Sequence, residues 1–132
     1  MPAQDAKVSI VDVRDIAAVA VKVLTNNNRT GMHHNKAYLI TGPEAISYHH
    51  AAEILTTVTG RKVDYVSISD EEARGGMKEA NMGDWLINTI LELYDYYRKG
   101  NASYVSSAIE EVIGRKPITF AQFANEYAEA FR

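Results

Sequence analysis

The chain has 132 residues, 14 basic and 17 acidic side chains, a net charge of −3 and no cysteine. That composition excludes disulfides, thiolate nucleophiles and cysteine-ligated zinc, and it leaves no basic footprint for nucleic acid or an anionic membrane. No apolar run reaches the roughly 20 residues that span a bilayer, and Met1–Lys7 lacks the basic-then-apolar order of a secretory leader. The expectation is one cytoplasmic domain over residues 1–132, with 46% hydrophobic residues to build a core.

Residues 7–13 alternate and are rich in valine, which predicts a strand. Asp12 or Asp15 can cap the helix that follows, because a carboxylate accepts the orphan N–H groups of a first turn. That helix runs to about Leu24, with Ile16, Val19, Ala20 and Val23 on one face. Asn26–Met32 reads as a polar loop, and Lys36–Thr41 as a second strand broken by Gly42-Pro43. Ser47 is placed to cap a helix through Thr59 that Gly60 ends. Val63–Ile68 alternates as a third strand.

Ser69 and Glu72 form a capping-box pair for a helix to about Ala80. Gly75-Gly76 weaken that helix by about 1 kcal/mol each relative to alanine, which predicts a frayed segment. Asp84 is the expected cap of a long helix, Trp85–Lys99, whose Leu86, Ile90, Leu93 and Tyr97 make one stripe. A short helix at Ser107–Ile113 and a last one from the Thr119–Gln122 capping box to Phe131 complete the chain. Strand–helix alternation followed by helices gives an α/β fold with few short strands.

Several segments, in order, carry a family resemblance: Val11-Asp-Val-Arg-Asp-Ile-Ala-Ala, Lys36-Ala-Tyr-Leu-Ile-Thr-Gly-Pro-Glu-Ala-Ile-Ser-Tyr48, Ala51-Ala-Glu-Ile-Leu55, Gly60-Arg-Lys-Val63, Asp84-Trp-Leu86 and Gly114-Arg-Lys-Pro-Ile-Thr-Phe120. Together they resemble the C-terminal portion of NmrA-like proteins, atypical or extended short-chain dehydrogenases that bind NAD(P). The resemblance implies the substrate-lobe part of a Rossmann-type fold. Ala37–Thr41 would be a late strand of the main sheet, and Val8–Val13 would pair with Val63–Ile68 in the small lobe. It also implies an oxidoreductase parent acting on a small apolar molecule such as a quinone. The alternative is a non-catalytic NAD(P)-sensing or regulatory module.

The glycine-rich G-x-x-G-x-x-G turn that cradles a pyrophosphate is not in this sequence, and neither is a Tyr-x-x-x-Lys pair. NAD(P) is therefore implied for the parent and none is expected for this chain alone. The expected partners are an N-terminal Rossmann half or a second copy, because Tyr38–Ile40 without sheet neighbours leaves an edge open to pairing.

Asp12 and Asp15 could serve acid–base work, but capping and junction packing, with Arg14 between them, is the stronger reading. His33-His34 and His49-His50 point in divergent directions, poor for shared metal ligation. Gly42-Pro43 follow a strand end, where ligands gather in α/β sheets, which marks a cleft rim. Tyr48, Met82 and Trp85 are the expected apolar walls of a substrate pocket, since such pockets are aromatic-lined.

Overall fold

The structure, a computed structural model, describes residues 1–25 and 31–131. Its elements are β1 (Lys7–Val8), α1 (Val13–Thr25), β2 (Ile46–Ser47), α2 (Tyr48–Thr59), α3 (Asp70–Glu79), α4 (Asp84–Arg98), α5 (Ala108–Ile113), α6 (Phe120–Glu126) and a closing 3-10 turn (Ala128–Phe131). Much of the expected Asn26–Met32 loop lies outside the described residues.

Helix boundaries follow local chemistry closely. Ser47 Oγ accepts the His50 N–H, and Gly60 ends α2 in the left-handed conformation that favours glycine. Reciprocal capping boxes open α3 at Ser69–Glu72 and α6 at Thr119–Gln122. At α4 the cap is Gly83 rather than Asp84, whose carboxylate occupies the first turn instead, where the helix dipole still favours it.

Strand pairing departs from expectation. Lys7–Val8 pairs antiparallel with Ile46–Ser47, not with Val63–Ile68. The 65–68 segment lies instead beside the N-terminus: Met1 N donates to Val66 O at 3.2 Å, Ile68 N to Met1 O at 3.5 Å, and Tyr65 Oη to Met1 O at 2.7 Å. Residues 36–41, expected as a strand, form no ladder among the described residues. Tyr38 and Ile40 pack on the chain's own core, so their alternation is real, while Leu39 is 62% exposed.

Two small cores hold the elements. Val19 of α1 meets Ile109 and Val112 of α5, with Val11, Val23, Tyr38 and Ile40 around them. Ala73 of α3 meets Ile87 and Leu91 of α4, flanked by Ile68 and Met77. Arg98 ties the second core to the N-terminus, donating to Pro2 O and pairing with Asp70 at 2.8 Å.

Much apolar surface stays outside. The chain exposes 8784 Å² for 14.7 kDa, against about 6,900 Å² for a self-contained monomer of that mass. Leu24 and Trp85 are about four-fifths exposed, and Val13, Val21 and Tyr104 more than half. The excess is of the order of a domain interface.

Candidate functional site

The junction of β1 and α1 is built on its two aspartates. Asp12 precedes α1, its Oδ1 accepting the Arg14 N–H at 2.8 Å and Nε at 2.9 Å while Oδ2 takes Nη2 at 2.7 Å. The Arg14 guanidinium holds the Asp12 carboxyl below its ordinary range. Arg14 also reaches Glu126 at 2.5 Å and lies 5.6 Å over the Tyr127 ring, fastening α1 to α6. Asp15 is fully buried; Oδ2 accepts the Ile118 N–H at 2.7 Å and Oδ1 meets Arg115 Nη2 at 2.6 Å. Both carboxylates are thus engaged in structure. Arg115, which sequence reasoning did not single out, lies inside the Gly114–Phe120 motif.

Beside this junction, Ile10, Val11, Val13, Ile118, Phe120 and Phe123 line a slot of about 130 Å³. Gly42 passes against its wall: a Cβ there would stand 1.8 Å from Ile10 O. Glycine is required at this crossing because any side chain would collide with backbone. Gly42 and Pro43 therefore sit next to the slot, with Thr41 Oγ1 accepting the Ser106 N–H at 2.8 Å.

A larger cavity, about 400 Å³, lies along one side of the α3–α4 hairpin. Met1, Ile68, Met77, Met82, Ile90 and Tyr94 supply most of its apolar wall, and Glu72 is its one charged side chain. This volume falls in the range of small-molecule sites, roughly 300–1,000 Å³, whereas the slot does not. The hairpin's other side is a wider, shallow basin, but it is lined by charges already occupied with one another, such as Asp70, Asp95 and Arg98. The apolar cavity is the better candidate site.

The three expected pocket residues fall in three places. Met82 lines the cavity. Tyr48 stacks on Tyr65 with ring centroids 5.6 Å apart, and burial pushes its phenol up to about 12. Trp85 projects from the side of α4 opposite Ile87 and Tyr94, as its spacing of two and nine residues from them dictates, and is 78% exposed. Ile68, Met77 and Ile90 were not marked by sequence as site residues; their signal is that of ordinary core positions.

His50 Nδ1 lies 3.1 Å from Glu53, His49 Nε2 3.9 Å from Asp5, and His33 Nδ1 2.7 Å from Tyr38 Oη. Among the described residues no three metal-ligating side chains converge. No described helix is long and apolar enough to cross a membrane.

Known proteins resemble the chain along its full extent. It is 40% identical over 131 residues, 99% of this chain and 44% of the relative, to an NAD(P)H azoreductase of Xenophilus azovorans. It is 30% identical over 124 residues, 94% of this chain and 42% of the relative, to an agroclavine dehydrogenase of Claviceps fusiformis. A Citrobacter triphenylmethane reductase complexed with NADP(H) superposes with a TM-score of 0.80 at 26% identity, covering 97% of this chain and 43% of that one. An NADPH-dependent quinone oxidoreductase of Escherichia coli shares the fold, with a TM-score of 0.79 over 94% of this chain and 44% of that one. No family model matches.

The class is that of Rossmann-type reductases, matched over their C-terminal portions. Within it, the chain resembles a C-terminal portion of NmrA-like proteins. It spans less than half the length of the curated relatives it matches.

Proposed function

We propose that this chain is the substrate-side lobe of an NAD(P)H-dependent oxidoreductase, and that its α3–α4 cavity takes a small apolar molecule such as a quinone. The observation that carries the reading is the 400 Å³ apolar cavity in a chain whose relatives include an NAD(P)H azoreductase. Met82 is a wall of that cavity. Tyr48, Trp85, Gly42 and Pro43 stand outside it, and we assign them to surfaces that meet the rest of the enzyme.

A nicotinamide dinucleotide does not fit these residues. Of the two strand-to-helix junctions among the described residues, the one at α1 opens on the Asp12 carboxylate, which repels a pyrophosphate and already takes the Arg14 N–H, and the one at α2 is closed by the Ser47 side chain on His50 N. No glycine-rich turn replaces either. We therefore derive no hydride step within this chain. Its share of the work is to bind and orient the acceptor and to exclude water from it.

The cofactor-binding half is the proposed partner. Among the described residues segment 36–41 has no ladder neighbour, and the outer face of α1, with Val13, Ala17, Val21 and Leu24, is exposed. An added strand and its layer would satisfy both. Mixing the purified chain with NADPH and a quinone series tests the assignment. No cofactor oxidation is expected from the chain alone, and turnover appears when the nucleotide-binding part of the azoreductase relative is added. Turnover by the chain alone would overturn it.

A further inference from the structure

We infer that the α3–α4 cavity selects aromatic cations over neutral or anionic molecules of the same shape; this rests on the cavity being the substrate site proposed above. The α3–α4 hairpin, residues 70–98, holds seven acidic and three basic side chains, a net of −4 in a chain whose total is −3. The negative field is thus concentrated on the hairpin that forms the cavity, and the remainder of the chain is positive. All three hairpin cations are engaged: Lys78 lies 3.6 Å from Asp84, Arg74 donates to Asn88 Oδ1 at 2.8 Å, and Arg98 pairs with Asp70 at 2.8 Å.

At the cavity itself the one charged side chain is the Glu72 carboxylate. Glu72 Oε2 accepts Ser69 N at 2.7 Å and Ser69 Oγ at 2.8 Å. The Ser69 backbone bond holds its carboxyl below the ordinary range. The charge is therefore fixed in position by the capping box and persists at neutral pH. The ammonium of Met1, which also lines the cavity, donates to Val66 O at 3.2 Å.

The remaining walls suit a soft, delocalised cation. Met77 and Met82 offer polarisable sulfur, and the Tyr94 ring offers a negative π face. An anion would meet Glu72 and the hairpin field, with no cationic side chain in the lining and the Met1 ammonium engaged by Val66 O. A neutral ligand would gain the apolar contact and none of the attraction.

Three isosteric probes separate the possibilities: naphthylmethyl-trimethylammonium, its neutral analogue with carbon in place of nitrogen, and naphthalenesulfonate. Their dissociation constants are measured by equilibrium dialysis against the intact chain. The cation is expected to bind about fivefold more tightly than the neutral probe, as one screened charge pair near 4 Å supplies, and the preference shrinks in 1 M salt. Glu72→Gln retains a capping-box side chain while removing the charge, and should bring the two probes level. Gly76→Leu, which adds bulk to the cavity lining at a position where a Cβ meets open space, should weaken all three.

Equal affinity for cation and neutral probe, or tighter binding of the sulfonate, overturns the charge selection and leaves the cavity assignment standing. A cation affinity that Gly76→Leu leaves unchanged also overturns it, because binding is then elsewhere. Failure of every probe to bind overturns the cavity assignment itself.

Discussion

Replacing Asp15 by alanine should be among the most damaging single changes in this chain. The carboxylate is wholly buried and holds the loop before α6 onto α1 through Ile118 N and Arg115. Removing it leaves the part-buried Ile118 N–H without its acceptor, which costs about 1–3 kcal/mol. It also removes a charge-assisted contact to Arg115, itself nearly half exposed and able to return to water, so that share is at the lower end of about 1–2 kcal/mol. Together the loss is about 3 kcal/mol, a large part of the roughly 5–15 kcal/mol that holds a domain. Asp15→Asn keeps an oxygen for Ile118 N and should lose about half as much. Urea unfolding followed by circular dichroism measures both. A cost under 1 kcal/mol for Asp15→Ala, with the asparagine variant equal to it, would refute the latch and reopen an acid–base role for this residue.

Gly42→Ala forces a Cβ to within 1.8 Å of Ile10 O, and should cost more than 3 kcal/mol in the same unfolding assay, beyond an ordinary glycine substitution. The unpaired segment 36–41 should promote self-association at micromolar concentration, and Leu39→Lys, placing charge on that edge, should shift sedimentation toward monomer. Gly75→Ala and Gly76→Ala meet no neighbour, so each should stabilise α3 by about 1 kcal/mol. Hydrogen exchange at residues 72–79 should be fast in the unsubstituted chain and slower in both variants. Because Arg14 lowers the Asp12 pKa in the folded state, that pair's contribution is present above about pH 4 and is lost as pH falls through the folded value. Arg14→Met should flatten the acid limb of a stability–pH curve.

What was legible in the sequence was local. Ser47, Ser69 and Thr119 set helix starts because capping depends on neighbours three residues away. Apolar spacing likewise located α1 and α4. Pairing was not legible, since alternation in Val63–Ile68 says that two faces differ but not which strand lies alongside. The segment instead runs beside Met1, through Tyr65 and backbone contacts that no periodicity encodes.

The site divided in the same way. Met82 follows a helix break and reaches the cavity from it. Trp85, three residues on, is carried outward by the helical turn. Ile68 and Ile90 look like core residues because their lining is core chemistry, and only the opening between α3 and α4 makes them a wall. Gly42 was legible as a strand terminator, whereas its contact with Ile10 O required the tertiary crossing.

Amide exchange at Tyr38–Ile40, measured with and without the nucleotide-binding part of the azoreductase relative, bears most directly on the lobe assignment. Those amides should exchange rapidly in the isolated chain and become strongly protected when the second half adds its strand. Strong protection in the monomeric chain alone, or exchange unchanged by saturating amounts of the other half, would contradict it.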